Sequence, residues 1–559
     1  MRGVHKIVEC DVLIIGGGLA ACMAALEAAK RGVRVSLVDK GRLGRSGSSP
    51  TSGGVPQAAF GHADPRDNKE MHFKDTVIGG EFLSRQKIVR AMVDEVTARV
   101  VELEEIGVRF KKQDDGKKFY QEKRLGSSYA RSVPPLGGSV GMLGTLRKEV
   151  FNREVDVHQW LMITKLFKDN DRVTGALGID VQTGHFSLFK AKAIVLAAGS
   201  AIALQKYTSA NFLTTGDAYL AAFDIGAKLA NLEFLEFTLI PAPKGLAIPM
   251  AGLSPFTSKG GRFFNSLGER FLEKYDPERL ENTTRAMIVS STYKEMREGR
   301  GPIYMDPSFI PDEKWDAEIT FEYAPKLAKA GIDCRTEKFE WVPALHTFLG
   351  GISINERCET GIEGLYASGE SSTGTHGANR LSGNAIASCL VLGARSGKFA
   401  THFALGRDYG SIDERNVSEE IARIESFKGD EGLNPFEVET EIQDLAWGSV
   451  GVVRNEGGLK SGVSRFEEIR KEKVPRSKGK DLRRLVKALE CGNLALVGEM
   501  VARSALERKE SRGQHSREDY PIRDDKNWLK WVKVYKKDES VACEIEPIRF
   551  GEEDLRPAG

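Results

Sequence analysis

The stretch that most limits what this chain can become is Asp11–Asp39, DVLIIGGGLAACMAALEAAKRGVRVSLVD. Val12, Leu13, Ile14 and Ile15 form a short apolar run that reads as a buried strand. Gly16 and Gly18 take the first two positions of a dinucleotide fingerprint, and Ala21 takes the third. The pattern predicts a helix from Leu19 to Arg31, stopped by Gly32, and then a second strand from Val33 to Val38 that ends on Asp39. Glycines let a backbone turn tightly and approach a pyrophosphate, whose charge then rests at a helix N-terminus. An acid 23 positions after the first glycine can accept hydrogen bonds from both ribose hydroxyls. Strand, glycine turn, helix, strand and acid in this order make a dinucleotide site, without separating FAD from NAD.

At 559 residues the chain exceeds one domain. Its 81 basic and 79 acidic residues nearly cancel, which argues against nucleic acid or a membrane surface as the main partner. No apolar run approaches the roughly 18 residues of a membrane span. The amino end runs almost directly into the first strand without a secretory pattern, so a cytoplasmic protein is expected. Cys10, Cys22, Cys334, Cys358, Cys389, Cys491 and Cys543 are scattered and form no CxxC, so no metal, iron–sulfur or haem site is expected in this chain.

Residues 40–59 read as a loop of small residues able to lie against a flat ligand. Residues 84–107 read as helical, 108–145 as irregular, and 155–198 as strand-rich, closing on Ala198 and Gly199. Gly216-Asp217 starts another helix. From about 240 to 349 proline rises and long apolar runs thin out, as in an inserted second domain. Glycines return at 350, and a helix is expected from Asn384 to Ala400. Amphipathic helices follow from about 403. The basic run Lys471–Arg484 reads as a solvated helix face, and Trp528 and Trp531 indicate that the polar end packs on something.

A series of blocks gives the chain a family resemblance. They are the fingerprint at 11–39, MHFKDTVIGGEFL at 71–83, TTGDAYLAA at 214–222, LEFLEF at 232–237, FNSLGERFLEKYDP at 264–277, HTFLGGI at 346–352, LYASGESSTGTHGANRLSGNAI at 365–386 and ALERKESRGQHSREDYPIRDDKNW at 505–528. In this order they resemble the flavoprotein subunits of succinate dehydrogenase and fumarate reductase, together with L-aspartate oxidase. The resemblance implies an α/β fold: an FAD-binding Rossmann-like domain (1–238 and 350–402), an inserted α+β capping domain (239–349) and a C-terminal helical domain with a tail (403–559). It implies FAD held by Gly16, Gly18, Ala21, Asp39, Lys40, Ser46, Gly53, Gly54, Ala198, Gly199, Asp217, Gly369, Glu370, Arg380, Ser382 and Asn384. The Glu370 carboxylate suits ribityl hydroxyls, and the helix starting at Asn384 can bring positive dipole to the flavin edge that gains charge on reduction.

The resemblance also implies a substrate site in which His346 and Arg380 hold a carboxylate and Arg285 gives a proton. The expected reaction interconverts a carbon–carbon single and double bond next to that carboxylate, with electrons passing to or from an iron–sulfur or other partner subunit, through which any membrane association would run. An L-aspartate-oxidase-like enzyme and an electron-transfer subunit without a small substrate are the alternatives. Several positions depart from the family. Thr238 stands where a substrate histidine is expected, Leu253 and Ser254 where a Thr-Glu pair is expected, and Thr257 and Lys259 where an arginine and a glutamate are expected. An arginine barely deprotonates alone, and the relay that would resupply it is not visible. Leu253 in place of a hydroxyl suggests a substrate with one carboxylate and a bulkier or less charged far end. Lys259 is either solvated or a contact for an anion there.

Many respiratory members attach FAD through a histidine, and Gly47 occupies its place here. Acid precipitation of the yellow protein is therefore expected to release all flavin into the supernatant; flavin retained on the denatured chain contradicts this.

Overall fold

The computed structural model describes residues 3–124, 126–250, 254–315, 319 and 323–557. Leu253 lies outside these residues, and the side chain of Ser254 is not described either. In chain order the strands begin with β1 (Val4–Ile15), β2 (Val35–Asp39), β3 (Asp156–Gln159), β4 (Leu161–Asp169), β5 (Arg172–Asp180) and β6 (Phe186–Leu196). Then come β7 (Leu229–Ala230), β8 (Leu235–Pro241), β9 (Arg262–Phe264), β10 (Ile303–Asp306), β11 (Phe339–Phe348) and β12 (Gly351–Ser353). The last are β13 (Leu365–Ala367), β14 (Ser372–Thr373), β15 (Lys530–Lys537) and β16 (Ser540–Pro547).

The first sheet runs β3-β2-β1-β6-β5-β4, with β13 beside the end of β6. β1 is parallel to β2 and β6, flanked on both edges, and Val12, Leu13 and Ile14 are fully buried. A strand enclosed in this way needs a continuous apolar run rather than an alternating one, as its sequence has. The helix Leu19–Ala29 returns across this sheet and packs on the helix Asn384–Ala404. Both carry small residues four positions apart at the crossing. A Cβ on Gly397 would lie 2.2 Å from the Ala24 carbonyl oxygen, and one on Gly393 2.5 Å from that of Ala20. The backbones therefore touch, and the chain after residue 350 is locked to the amino-terminal unit.

The second sheet, β8-β11-β10-β9, is antiparallel around Trp341, Phe256 and Phe263, all fully buried. It begins at Leu235, so β8 carries the chain from one unit into the other. The third sheet, β14-β12-β7-β15-β16, joins the C-terminal hairpin to the same unit as the first. The hairpin was not foreseen in the sequence. Its first strand, KWVKVYKK, buries only Val532 and Val534 completely, and lysines mask that alternation. The expectation for Trp531 stands: its indole N–H donates to the Leu83 carbonyl at 2.8 Å and Arg85 lies over its ring. The stretch read as irregular contains the start of a helix, Gly138–Asn152, whose glycines hide its periodicity, although Met142, Leu143, Leu146 and Val150 face the core. Four long helices follow the FAD-type unit, at Glu414–Glu425, Pro435–Ser449, Glu456–Glu468 and Leu482–Glu507, with a single turn at Asp525–Trp528.

The helix contact sets an expected outcome. Gly397→Leu forces two backbones apart and is expected to cost at least about 1–3 kcal/mol, the scale of overpacking. Gly144→Ala, on an exposed helical face with no atom within 4 Å of its Cβ position, is expected to leave stability unchanged or raise it by about 0.5–1 kcal/mol. Denaturant midpoints of the two variants check this, and equal midpoints contradict it.

Candidate active site

A cleft opens at the C-terminal ends of β1, β2 and β6, where open α/β sheets bind ligands. Gly16, Gly18, Asp39, Lys40, Ser46, Ala198, Gly199, Asp217 and Glu370 line it. Gly16 has a φ of 129°, and a Cβ there would lie 2.2 Å from the Ala197 carbonyl, so only glycine allows the turn between strand ends. Asp39 is buried at the end of β2. Its Oδ1 accepts from the Gly41 amide at 3.3 Å, while Oδ2 is buried with no hydrogen-bond partner among the described residues. Burial raises its pKa, against the pull of the Gly41 amide. A buried carboxylate oxygen left open beside a glycine turn fits the ribose of a dinucleotide.

The other end of the cleft is closed by Glu370. Burial raises its pKa, opposed by the Ser200 hydroxyl, which donates to it at 2.6 Å, and by the polar groups of Thr347, Phe348 and Ser48 nearby. Lys40 is committed to protein partners, Asp217 at 2.9 Å, Glu490 at 3.0 Å and Thr215 at 2.6 Å. Burial disfavours its charge, but the two carboxylates outweigh that and raise its pKa.

The remaining expected cofactor residues lie around the cleft rather than on its lining. Ala21 is fully buried in the first helix. A Cβ on Gly54 would sit 2.6 Å from the Ser139 backbone, and one on Gly369 would sit 2.7 Å from Ala20 Cβ. Gly53 adjoins Gly54 in the same loop as the lining residue Ser46, whose hydroxyl closes a turn with the Arg42 backbone. The Ser382 carbonyl accepts from Gln57 at 2.6 Å. The Asn384 side chain is taken by His72 Nε2 at 2.8 Å and by Thr76 at 2.9 Å.

Next to Thr347, one residue back along β11, stands His346. Its Nδ1 meets the Ser209 hydroxyl at 2.7 Å, and burial pushes its pKa down to about 3. Arg285 begins the helix Arg285–Arg297, capped by Thr284. Burial lowers the Arg285 pKa, and the N-terminal turn of a helix is the unfavourable end of the dipole for a cation. Arg380 follows the glycine-rich segment 374–377. The structure brings these three residues together around a fourth, Glu236, to which the family blocks assign no role. Glu236, on β8, is 1 % exposed. Arg380 grips it with two parallel bonds, Nε to Oε2 at 3.0 Å and Nη2 to Oε1 at 2.9 Å, and Arg285 Nη1 donates to Oε1 at 2.5 Å. Burial works against its charge, yet Arg380 and Arg285 prevail and hold its pKa at about 2.

His376 is a second residue that the sequence did not single out. It is the histidine of GTHGANR; its Nδ1 is buried with no hydrogen-bond partner among the described residues, and burial, with Arg380 nearby, lowers its pKa to about 3. The signal that could have found Glu236 is its spacing. It lies two residues before Thr238 on one strand, so both side chains face the same way. Thr238 Oγ1 is buried and likewise has no hydrogen-bond partner among the described residues. Thr257 and Lys259 each take part in interactions.

Comparison with known proteins agrees with this geometry. A model of the FAD binding domain matches residues 11–386, and one of the fumarate reductase flavoprotein C-terminus matches 439–558. A fumarate reductase (CoM/CoB) subunit of Methanothermobacter marburgensis is 35% identical over 531 residues, 92% of this chain and 95% of that protein. The succinate dehydrogenase flavoprotein subunit of Coxiella burnetii is 30% identical over 99% of this chain and 98% of its own. Among solved structures, an Escherichia coli quinol fumarate reductase chain superposes with a TM-score of 0.90 at 26% identity, covering 99% of both chains. Matches of this extent across both the cofactor-binding and the carboxyl-terminal parts show that the chain belongs to the family of FAD-dependent fumarate reductase and succinate dehydrogenase flavoprotein subunits.

Proposed function

We propose that this protein interconverts a carbon–carbon single and double bond next to a carboxylate, and exchanges the electrons with a partner subunit. The observation that carries this reading is the half-buried group of Arg285, Arg380 and neutral His346, the last set one residue from Thr347, whose side chain lies beside Glu370 at the inner end of the cleft. FAD in that cleft would supply hydride transfer. Asp39 Oδ2 would hold the ribose, and the amide end of the helix Leu19–Ala29 would face the pyrophosphate. Gly47, at a φ of 79° and with nothing near its Cβ position, offers no group for a covalent link.

The protein's own groups divide the remaining work. With Ser209 donating to Nδ1, the His346 ring proton sits on Nε2, where it can be donated to a carboxylate oxygen. Arg380, its fork taken by Glu236, supplies positive charge beside the same carboxylate. Arg285 passes a proton to, or takes one from, the carbon beside it. Burial and the helix end ease release of that proton, while Glu236 opposes it. Enclosure by the second sheet keeps water from the reacting bond and strengthens each of these interactions. The relatives are named as subunits, which supports a separate electron carrier, and we take it to be an iron–sulfur protein. No helix of the described residues is long and apolar enough to cross a membrane, so any membrane association would run through such a partner.

Two outcomes test this reading. Asp39→Ala is expected to weaken FAD binding by about 1–3 kcal/mol, the scale of hydrogen bonds to a charged acceptor. Titration of the apoprotein measures it, and unchanged affinity removes Asp39 as the ribose ligand. Arg285→Lys and Arg285→Ala are expected to lose at least about 10²-fold in turnover while keeping bound flavin, the range of a lost general acid. Turnover within about threefold of the parent takes Arg285 out of the chemistry.

A further inference from the structure

Glu236 neither orients a substrate nor moves its proton in the reading above, yet it is the most tightly held member of the cluster. A carboxylate and a guanidinium fork match in two parallel bonds, which is the geometry an arginine uses to grip a substrate carboxylate. In this protein that face of Arg380 is filled from within, by a side chain of β8. The same carboxylate also takes Arg285 Nη1. The cluster thus holds two guanidinium charges and one carboxylate, and both imidazoles are neutral near pH 7. Over Arg285, Arg380, Glu236, His346 and His376 the net charge is that of one unmatched cation. A buried site pays heavily for charge it cannot pair, so this balance admits one further carboxylate and penalises a second.

The unsatisfied polar atoms point the same way. Arg285 Nε and His376 Nδ1 are buried without hydrogen-bond partners among the described residues, as is Thr238 Oγ1. Thr238 sits on the face of β8 that carries Glu236, and a hydroxyl there cannot match a charge as a cation would. The free donors therefore suit one anionic group together with a neutral remainder.

We propose that Glu236 is a specificity-determining residue: a built-in carboxylate that fills the two-pronged face of Arg380 and sets the site for monocarboxylic acids over dicarboxylic acids. The inference rests on the carboxylate oxidoreductase reading and narrows its substrate class.

The test compares two four-carbon acids with the same double bond, crotonate and fumarate, which differ by a methyl group against a second carboxylate. Each is titrated into the FAD-loaded protein and followed by flavin absorbance. The wild-type protein is expected to bind crotonate more tightly than fumarate. Glu236→Gln, which keeps the shape and removes the charge, is expected to move the ratio of the two Kd values toward fumarate by at least about tenfold, the scale of one close buried charge. Tighter binding of fumarate by the wild type, or an unmoved ratio in Glu236→Gln, overturns the assignment of Glu236 and leaves the oxidoreductase reading intact. No flavin response to either acid in the wild type overturns both. Should Glu236→Gln fail to retain FAD, the wild-type order alone decides.

Discussion

A carboxylate taken out of water has to be paired, and the short segment from Glu233 to Glu236 carries two of them into the interior. Glu233 is held from below: Arg508 Nε bonds it at 2.7 Å, the Ser504 hydroxyl donates to it, and Arg454 takes its carbonyl at 2.6 Å. Arg508 and Glu233 are both 0% exposed. Glu236 is held from above by Arg285 and Arg380. These four cations come from the capping segment, the glycine-rich return and the carboxyl-terminal region. Removing Glu236 would leave Arg285 and Arg380 without the carboxylate they share, which costs far more than the pair contributes. The segment thus fixes where three distant parts of the chain stand.

Everything the site needs follows from that anchoring. β8 leaves Glu236 as the first strand of the second sheet, and β11 returns beside it with His346 in the bulge between Leu345 and Thr347. The bulge turns His346 toward the cluster, while Thr347 reaches Glu370 at the cleft. One strand therefore borders both the cleft and the arginine cluster. The tail is part of the same arrangement: Arg512 bonds Glu510 and the Glu81 carbonyl, and Gly513 touches the Ala378 backbone close to Arg380. The conformation of the 374–384 segment is set from outside as well as from within.

Much of the first unit was legible in the residues. The apolar run Val12–Ile15, the turn at Gly16 and the acid at Asp39 need only local rules, because a strand, a tight turn and a strand end are set by near neighbours. The helix Asn384–Ala404 and the strand-rich stretch were visible for the same reason. The hairpin β15–β16 and the helix Gly138–Asn152 were not, since lysines in one and glycines in the other blur the period. In the site, His346 and Arg380 were reachable through the family blocks that contain them, and Arg285 through the family resemblance outside those blocks. Asn384 and Lys40 were reachable too, but the structure commits their side chains to His72 and Thr76 and to Asp217 and Glu490.

The sequence by itself determined the dinucleotide cradle, the order of the units and the departures at Thr238 and Gly47, because each is a matter of which residue stands at which position. Only the tertiary structure decided what the arginines pair with. Arg285 and Arg380 are 95 positions apart, and Glu236 lies 49 from one and 144 from the other. No periodicity links such positions. They meet because β8 and β11 pair across the second sheet and because the buried charge of Glu236 is matched by Arg285 and Arg380.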